Sequence, residues 1–191
     1  LLYEFDIQDG IGELISGLPY TSNLYTRGFG AGGDYYILVW FDETIKIIET
    51  KTGEVINTFQ LNNMMCVQDG VSFAFHPENA IVAIVNSCGE KEELYLRSLT
   101  DSQILFKTNL NISYAQFTTR NRLVGVEATS QNHQIHIWEL DNDYKLTTYP
   151  GKQPRFFPND ELMVTIGPDG NIWIWNIDLA QLQLILPVPQ N

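Results

Sequence analysis

The sequence is short of the residues that most chemistry and most membrane insertion require. Only two cysteines, Cys66 and Cys88, occur in 191 residues. That is too few for a disulfide framework, and too few for a structural zinc site without further ligands. Reduced thiols in a cytoplasmic protein are the expectation. Basic residues are scarce, 11 against 23 acidic ones, for a formal net charge of −12. Nucleic-acid binding needs clustered Lys and Arg to neutralise phosphates, and here they are scattered singly apart from Arg120-Asn121-Arg122. No nucleic-acid partner is expected. The acidity serves solubility first, and steering of a basic partner second. No run approaches ~18 apolar residues, so no membrane-spanning helix is expected. Leu1 to Asp6 carry neither a basic segment nor a small-residue cleavage site, so no signal peptide is expected. With no initiator Met, the chain reads as a piece of something longer or a processed product.

What the sequence has is apolar and aromatic surface. Hydrophobic residues make up 44% and aromatics 12%, enough to offset the entropy of ordering a substantial core. That surface is distributed periodically. Four segments have the same form: Thr44-Ile-Lys-Ile-Ile-Glu49, Glu93-Leu-Tyr-Leu-Arg-Ser98, Gln134-Ile-His-Ile-Trp-Glu139 and Asn171-Ile-Trp-Ile-Trp-Asn176. Apolar residues at their second and fourth positions give the period-2 alternation of a strand. The fifth position holds Ile48, Arg97, Trp138 and Trp175, recurring at intervals that scatter around ~40–45 residues.

Each of these strands is preceded by the same sequence of events. An aromatic anchor, Phe29, Phe75, Phe117 or Phe157, is followed by a polar turn such as Pro77-Glu-Asn79 or Pro158-Asn-Asp160. A near-continuous apolar run comes next: Tyr36 to Phe41, Ala80 to Val85, Leu123 to Val126 and Leu162 to Ile166. A run apolar on both faces is a strand buried on both sides. A fourth strand closes each unit, within Glu54 to Phe59, Gln103 to Lys107, Tyr144 to Tyr149 and Gln181 to Leu186. The turns before two of these, Lys51-Thr-Gly53 and Asp141-Asn-Asp143, contain residues that hairpins require. The pattern predicts an all-β protein of about four four-stranded antiparallel units, spanning roughly 24–60, 66–108, 112–149 and 153–187.

An aromatic, a Pro-containing turn, a doubly buried strand and then Ile-x-Ile-Trp resembles the WD-repeat family of β-propellers. The likeness is clearest in Ile135-His-Ile-Trp138 and Ile172-Trp-Ile-Trp175. It implies a β-propeller of four-stranded antiparallel blades around a central channel, used to hold other proteins rather than for catalysis. The chain departs from the family in having no Gly-His dipeptide and in placing Ile48 and Arg97 where Trp is usual. The family's buried network of Asp, His, Ser/Thr and Trp is therefore not expected to assemble. Residues 1–6 read as an extra, unpaired N-terminal strand of the fourth-strand type. Two readings of the ring stay open: a propeller fragment completed by further blades or by self-association, or a small closed ring. The surplus strand, the absent Met and a count at the floor of the ~4–8 blades of propellers favour the first.

Candidate chemistry is sparse. His76 precedes Pro77 in a turn, His133 lies in a polar loop, and His136 alternates with Ile135 and Ile137 without a spaced partner for a metal. Asp141-Asn-Asp143 lacks the Gly and distal Glu of a calcium loop, and Pro168-Asp-Gly-Asn171 reads as a turn with Gly170 at positive φ. Gly28-Phe-Gly-Ala-Gly-Gly33 opens no helix and carries no Lys-Ser/Thr, so it is no phosphate loop. No catalytic, cofactor or metal residue is assigned. The leading expectation is a non-catalytic protein–protein interaction or sensing scaffold, with Arg97 and Trp173 as candidate anchors for an unidentified protein partner or, equally, as residues that pack between blades. The alternative is a metal-dependent hydrolase or lactonase on a propeller fold, for which clustered carboxylates at the channel mouth would speak.

Overall fold

The computed structural model describes residues 2–5, 12–15, 24–40, 44–60, 71–88, 91–127 and 133–189. Among these residues the only helical element is a 3-10 turn at Ala31–Gly33, and no helix is long and apolar enough to cross a membrane. Strands β1 (Leu2–Phe5) and β2 (Gly12–Ile15) pair antiparallel with each other, Leu2 opposite Ile15 and Phe5 opposite Gly12. The N-terminal strand expected to be unpaired thus has a partner, a local hairpin mate that the repeat pattern does not mark.

Four four-stranded antiparallel meanders follow. The first comprises β3 (Leu24–Gly30), β4 (Tyr35–Trp40), β5 (Thr44–Glu49) and β6 (Val55–Gln60). The second comprises β7 (Val71–Phe75), β8 (Ile81–Cys88), β9 (Lys91–Ser98) and β10 (Ile104–Thr108). The third comprises β11 (Ile112–Phe117), β12 (Arg122–Glu127), β13 (Gln134–Glu139) and β14 (Lys145–Pro150). The fourth comprises β15 (Lys152–Phe156), β16 (Leu162–Ile166), β17 (Ile172–Asn176) and β18 (Gln181–Leu186). Within each sheet every strand pairs with its neighbour in sequence, because the connecting turns are short and several hold residues at positive φ, such as Gly53 (71°), Asn121 (54°) and Gly170 (79°).

Burial explains the two hydrophobic patterns. Strands β4 and β12 are apolar on both sides because each sits in the middle of a sheet covered on both faces: Tyr36, Ile37, Leu38 and Val39 are all buried. Residues that lie opposite one another across a ladder share a face. The next-facing side of the first sheet (Ile37, Val39, Ile45, Ile47, Phe59) packs against Val82, Ile84 and Leu99 of the second. The second sheet's Ala83, Val85, Leu94 and Leu96 pack against Ile112, Ala115, Leu123 and Trp138. The third sheet's Val124, Ile135, Ile137 and Tyr149 pack against Met163, Trp175 and Ile177. Each fully buried aliphatic side chain here stabilises the stack by roughly 1.5–3 kcal/mol.

One contact repeats at all three interfaces. The fifth-position residue of a third strand rests on a fourth-strand aromatic of the preceding sheet. Arg97 lies over Phe59 at 4.7 Å, Trp138 beside Phe106 at 5.8 Å, and Trp175 edge-on to Tyr149 at 5.4 Å. Arg97 replaces Trp without loss of the contact because a guanidinium is attracted to an aromatic face. The fourth anchor differs from expectation. Phe156, not Phe157, stands opposite Met163, the position that Phe75 and Phe117 hold opposite Val82 and Leu123. Phe157 follows the strand and is 40% exposed; with two Phe in succession, pairing register decides which points into the stack.

Candidate functional site

Antiparallel meanders place the turns between first and second strands, and between third and fourth strands, at one end of every sheet. At this end the backbone N–H of Leu140 donates to the carbonyl of Asn121, and Ile177 N–H to Glu161, tying the two turns of a sheet together. Side chains then tie neighbouring sheets. Asn57 donates from Nδ2 to the Leu99 carbonyl (2.8 Å) and to Ser102 Oγ (2.9 Å). His76, 2% exposed, accepts at Nδ1 from the backbone N–H groups of Glu78 and Asn79. Its Nδ1 is therefore unprotonated, and its Nε2–H donates to Asn121 Oδ1 at 2.7 Å in the next sheet. Asn121 in turn donates to Asp141.

The link between third and fourth sheets is ionic. Asp160 accepts from the backbone N–H groups of Thr119 and Arg120 and from the Thr119 hydroxyl. Arg120 reaches Asp178 at 2.8 Å and Glu161 at 3.0 Å. Arg122, 7% exposed, donates to the Asp160 carbonyl and to Asp178, with Glu139 at 3.4 Å. The Arg122 hydrogen bond draws the Asp178 carboxyl below the usual carboxylate range. The signal for this cluster was Arg120-Asn121-Arg122, the one basic grouping in the sequence. Its acidic partners in the fourth sheet, Asp160, Glu161 and Asp178, lie 38 to 58 residues away, beyond any local pattern.

Around these ties the surface is acidic. Glu54, Glu78, Asp101, Asp141 and Asp143 are exposed on the turns of three sheets, while Lys51, Arg120 and Arg122 already stand beside carboxylates. Adjacent turns are thus held in fixed positions and present net negative charge.

The two candidate anchors lie on different sheets, and both are half-buried. Arg97 serves the interface between first and second sheets, its Nη1 also donating to the Gln60 carbonyl at 3.4 Å. Trp173 packs against the third interface, 5.6 Å from Trp175. Cys66 lies outside the described residues. Among the described residues no three of His, Cys, Asp and Glu converge as a metal site would require. The Trp175 indole N–H donates to Thr165 Oγ1 at 3.1 Å in a buried position, joining β16 to β17.

His136 is structural. It is 4% exposed, shares a hydrogen bond of 3.0 Å with Thr148, and lies 3.9 Å from Glu127. Burial pushes its imidazole below the ordinary value, with Glu127 pulling the other way. The folded chain therefore keeps His136 neutral where the unfolded chain takes up a proton near pH ~6.5. The stability this supplies is present above that value and lost as pH falls toward the lower, folded one. Urea midpoints are expected to fall between pH 7.5 and 5, and to fall less in His136→Gln. Equal falls in the two proteins would contradict the burial account.

No family model matches the chain, and no curated protein is similar to it in sequence. Among solved structures it is similar to the Myceliophteria thermophila Cps50 (Swd1) β-propeller domain, with a TM-score of 0.59 at 10% identity. The match covers 92% of this chain and 58% of that one, so the chain spans less than two thirds of its neighbour's length. At this identity the likeness shows the fold, a β-propeller built of four-stranded antiparallel blades.

Proposed function

We propose that the chain is a non-catalytic protein-interaction scaffold of the WD-repeat propeller type, and that its turn end docks a basic protein segment. The observation that supports this reading is the cross-tied, acidic turn end. Docking a flexible segment on a preformed surface loses less ordering entropy than docking it on mobile loops. A field of one sign steers a partner of the other and disfavours partners of its own. Arg97 and Trp173 belong to this reading as residues that hold the blades in register beneath the docking surface.

The test uses the purified chain and two immobilised peptides of equal length, one lysine-rich and one glutamate-rich. Binding to the lysine-rich peptide alone is expected, weakening as salt shortens the screening length to ~3 Å at 1 M. Glu54→Gln, Glu78→Gln and Asp143→Asn combined should weaken it about tenfold without changing the melting temperature, because all three are exposed rim charges. Unchanged binding by the triple variant would remove the turn end from the proposal.

A further inference from the structure

The three interfaces share one apolar grid, and the fourth sheet carries a further copy of it that no sheet among the described residues covers. In the third sheet the rows are Val124–Ile137–Thr147 and Val126–Ile135–Tyr149, read across the ladders. In the fourth they are Val164–Ile174–Leu184 and Ile166–Ile172–Leu186. Burial separates the two. Ile135 and Ile137 are 0% and 1% exposed beneath the fourth sheet, whereas Ile172 and Ile174 are half-exposed. At the outer edge Phe59 and Tyr149 are 8% and 1% exposed in their sheets, while Leu184 and Leu186 are 49% and 42% exposed. Six branched aliphatic side chains side by side form a contiguous apolar patch of the kind that marks an interface on a soluble protein.

We infer that this face of β16, β17 and β18 is the seat of a fifth four-stranded blade that continues the stack. The occupant is set by continuity with the three interfaces already formed. The same grid receives the near face of a following blade three times, each time with an apolar second-strand residue (Val82, Leu123 or Met163) and an aromatic or Arg at the fifth position of the third strand. A fifth blade would bring the first over Ile174 and the second onto Leu184 and Leu186. The β-propeller domain similar to this chain is matched over only 58% of its length, which leaves room for blades of that kind. A second copy of this chain is a poorer occupant. The matching near face it could offer is that of its first sheet, where Tyr36, Leu38 and Ile48 are already buried at 3%, 5% and 1% exposure.

The fourth blade itself supplies the probe, since its near face fits the third sheet's copy of the grid. A second copy of residues 151–189 is appended to the full chain. The extended protein is expected to be monomeric and to melt roughly 4 °C or more above the parent. Backbone amides of β17 and β18 should exchange at least about tenfold more slowly, as burial of an open sheet face requires. Leu184→Asp should remove both gains from the extended protein and leave the melting temperature of the parent unchanged. In the parent, Leu184→Asp should also abolish binding of an apolar fluorescent dye, a readout that needs no new blade to fold. An appended blade that gives β17 and β18 no protection overturns the inference. So does concentration-dependent protection of the same strands in the parent, which would assign the face to a second copy. Destabilisation of the monomeric parent by Leu184→Asp overturns it as well, because the face would then already be covered by this chain.

Discussion

Replacing Trp138 by Ala is expected to lower the unfolding free energy by about 3–5 kcal/mol, read from urea denaturation. Trp138 is 2% exposed and closes the interface between second and third sheets. Its ring packs on β12 where Gly125 offers no side chain: a Cβ at Gly125 would come within 2.9 Å of the indole and 3.1 Å of Ile112. On the other side stands Phe106, itself stacked on Tyr144 at 4.6 Å. Truncation therefore leaves a void bounded by backbone at Gly125 and by rings that already have partners, so little can collapse into it. Arg97 holds the equivalent place one interface earlier but is half-exposed, and Arg97→Ala should cost only about 1 kcal/mol, the scale of a cation–π contact at such a site. A Trp138→Ala loss below about 1 kcal/mol, typical of surface positions, would contradict the placement of this residue between two sheets.

That contrast shows how much of the fold is legible in the residues. Alternation in β5, β9, β13 and β17, and double-sided burial in the strands before them, are local patterns, and local patterns reveal the four-stranded units. Two features escaped. Phe156 and Phe157 are equally apolar neighbours, and only the register across to Met163 distinguishes them. Gly12–Ile15 shows too short a pattern to mark it as the partner of Leu2–Phe5. The turn end was less legible still. His76 reads correctly as a turn residue, yet its tie to Asn121 spans 45 residues, and that of Thr119 to Asp160 spans 41. Such contacts follow from the stacking of successive sheets, so they become visible only once the repeat has been folded. Arg97 is an intermediate case: as a departure from Trp it reads equally as an exposed anchor or as inter-blade packing, and the preceding sheet's Phe59 gives it a packing contact.

The same register position in two successive sheets supplies the sharpest test of the stack. Tyr149 lies opposite Ile135, and Leu186 opposite Ile172. Tyr149→Ala is expected to cost about 3–5 kcal/mol, because its ring is 1% exposed against Trp175 and its hydroxyl donates to the Ile177 carbonyl at 3.0 Å. Leu186→Ala, at 42% exposure with no sheet among the described residues over it, should cost less than about 1 kcal/mol. Tyr149→Phe isolates the hydroxyl, and about 1 kcal/mol is expected for that hydrogen bond. Burial pushes the Tyr149 phenol up to about 12, so in the folded chain it stays protonated where the unfolded chain ionises near ~10. Between these values the unfolded state holds fewer protons, and stability must fall as pH rises through the window. Urea midpoints measured from pH 9 to 12 should therefore fall more steeply in the parent than in Tyr149→Phe. Parallel slopes would mean that the phenol is solvated, and that the third and fourth sheets do not meet over Tyr149.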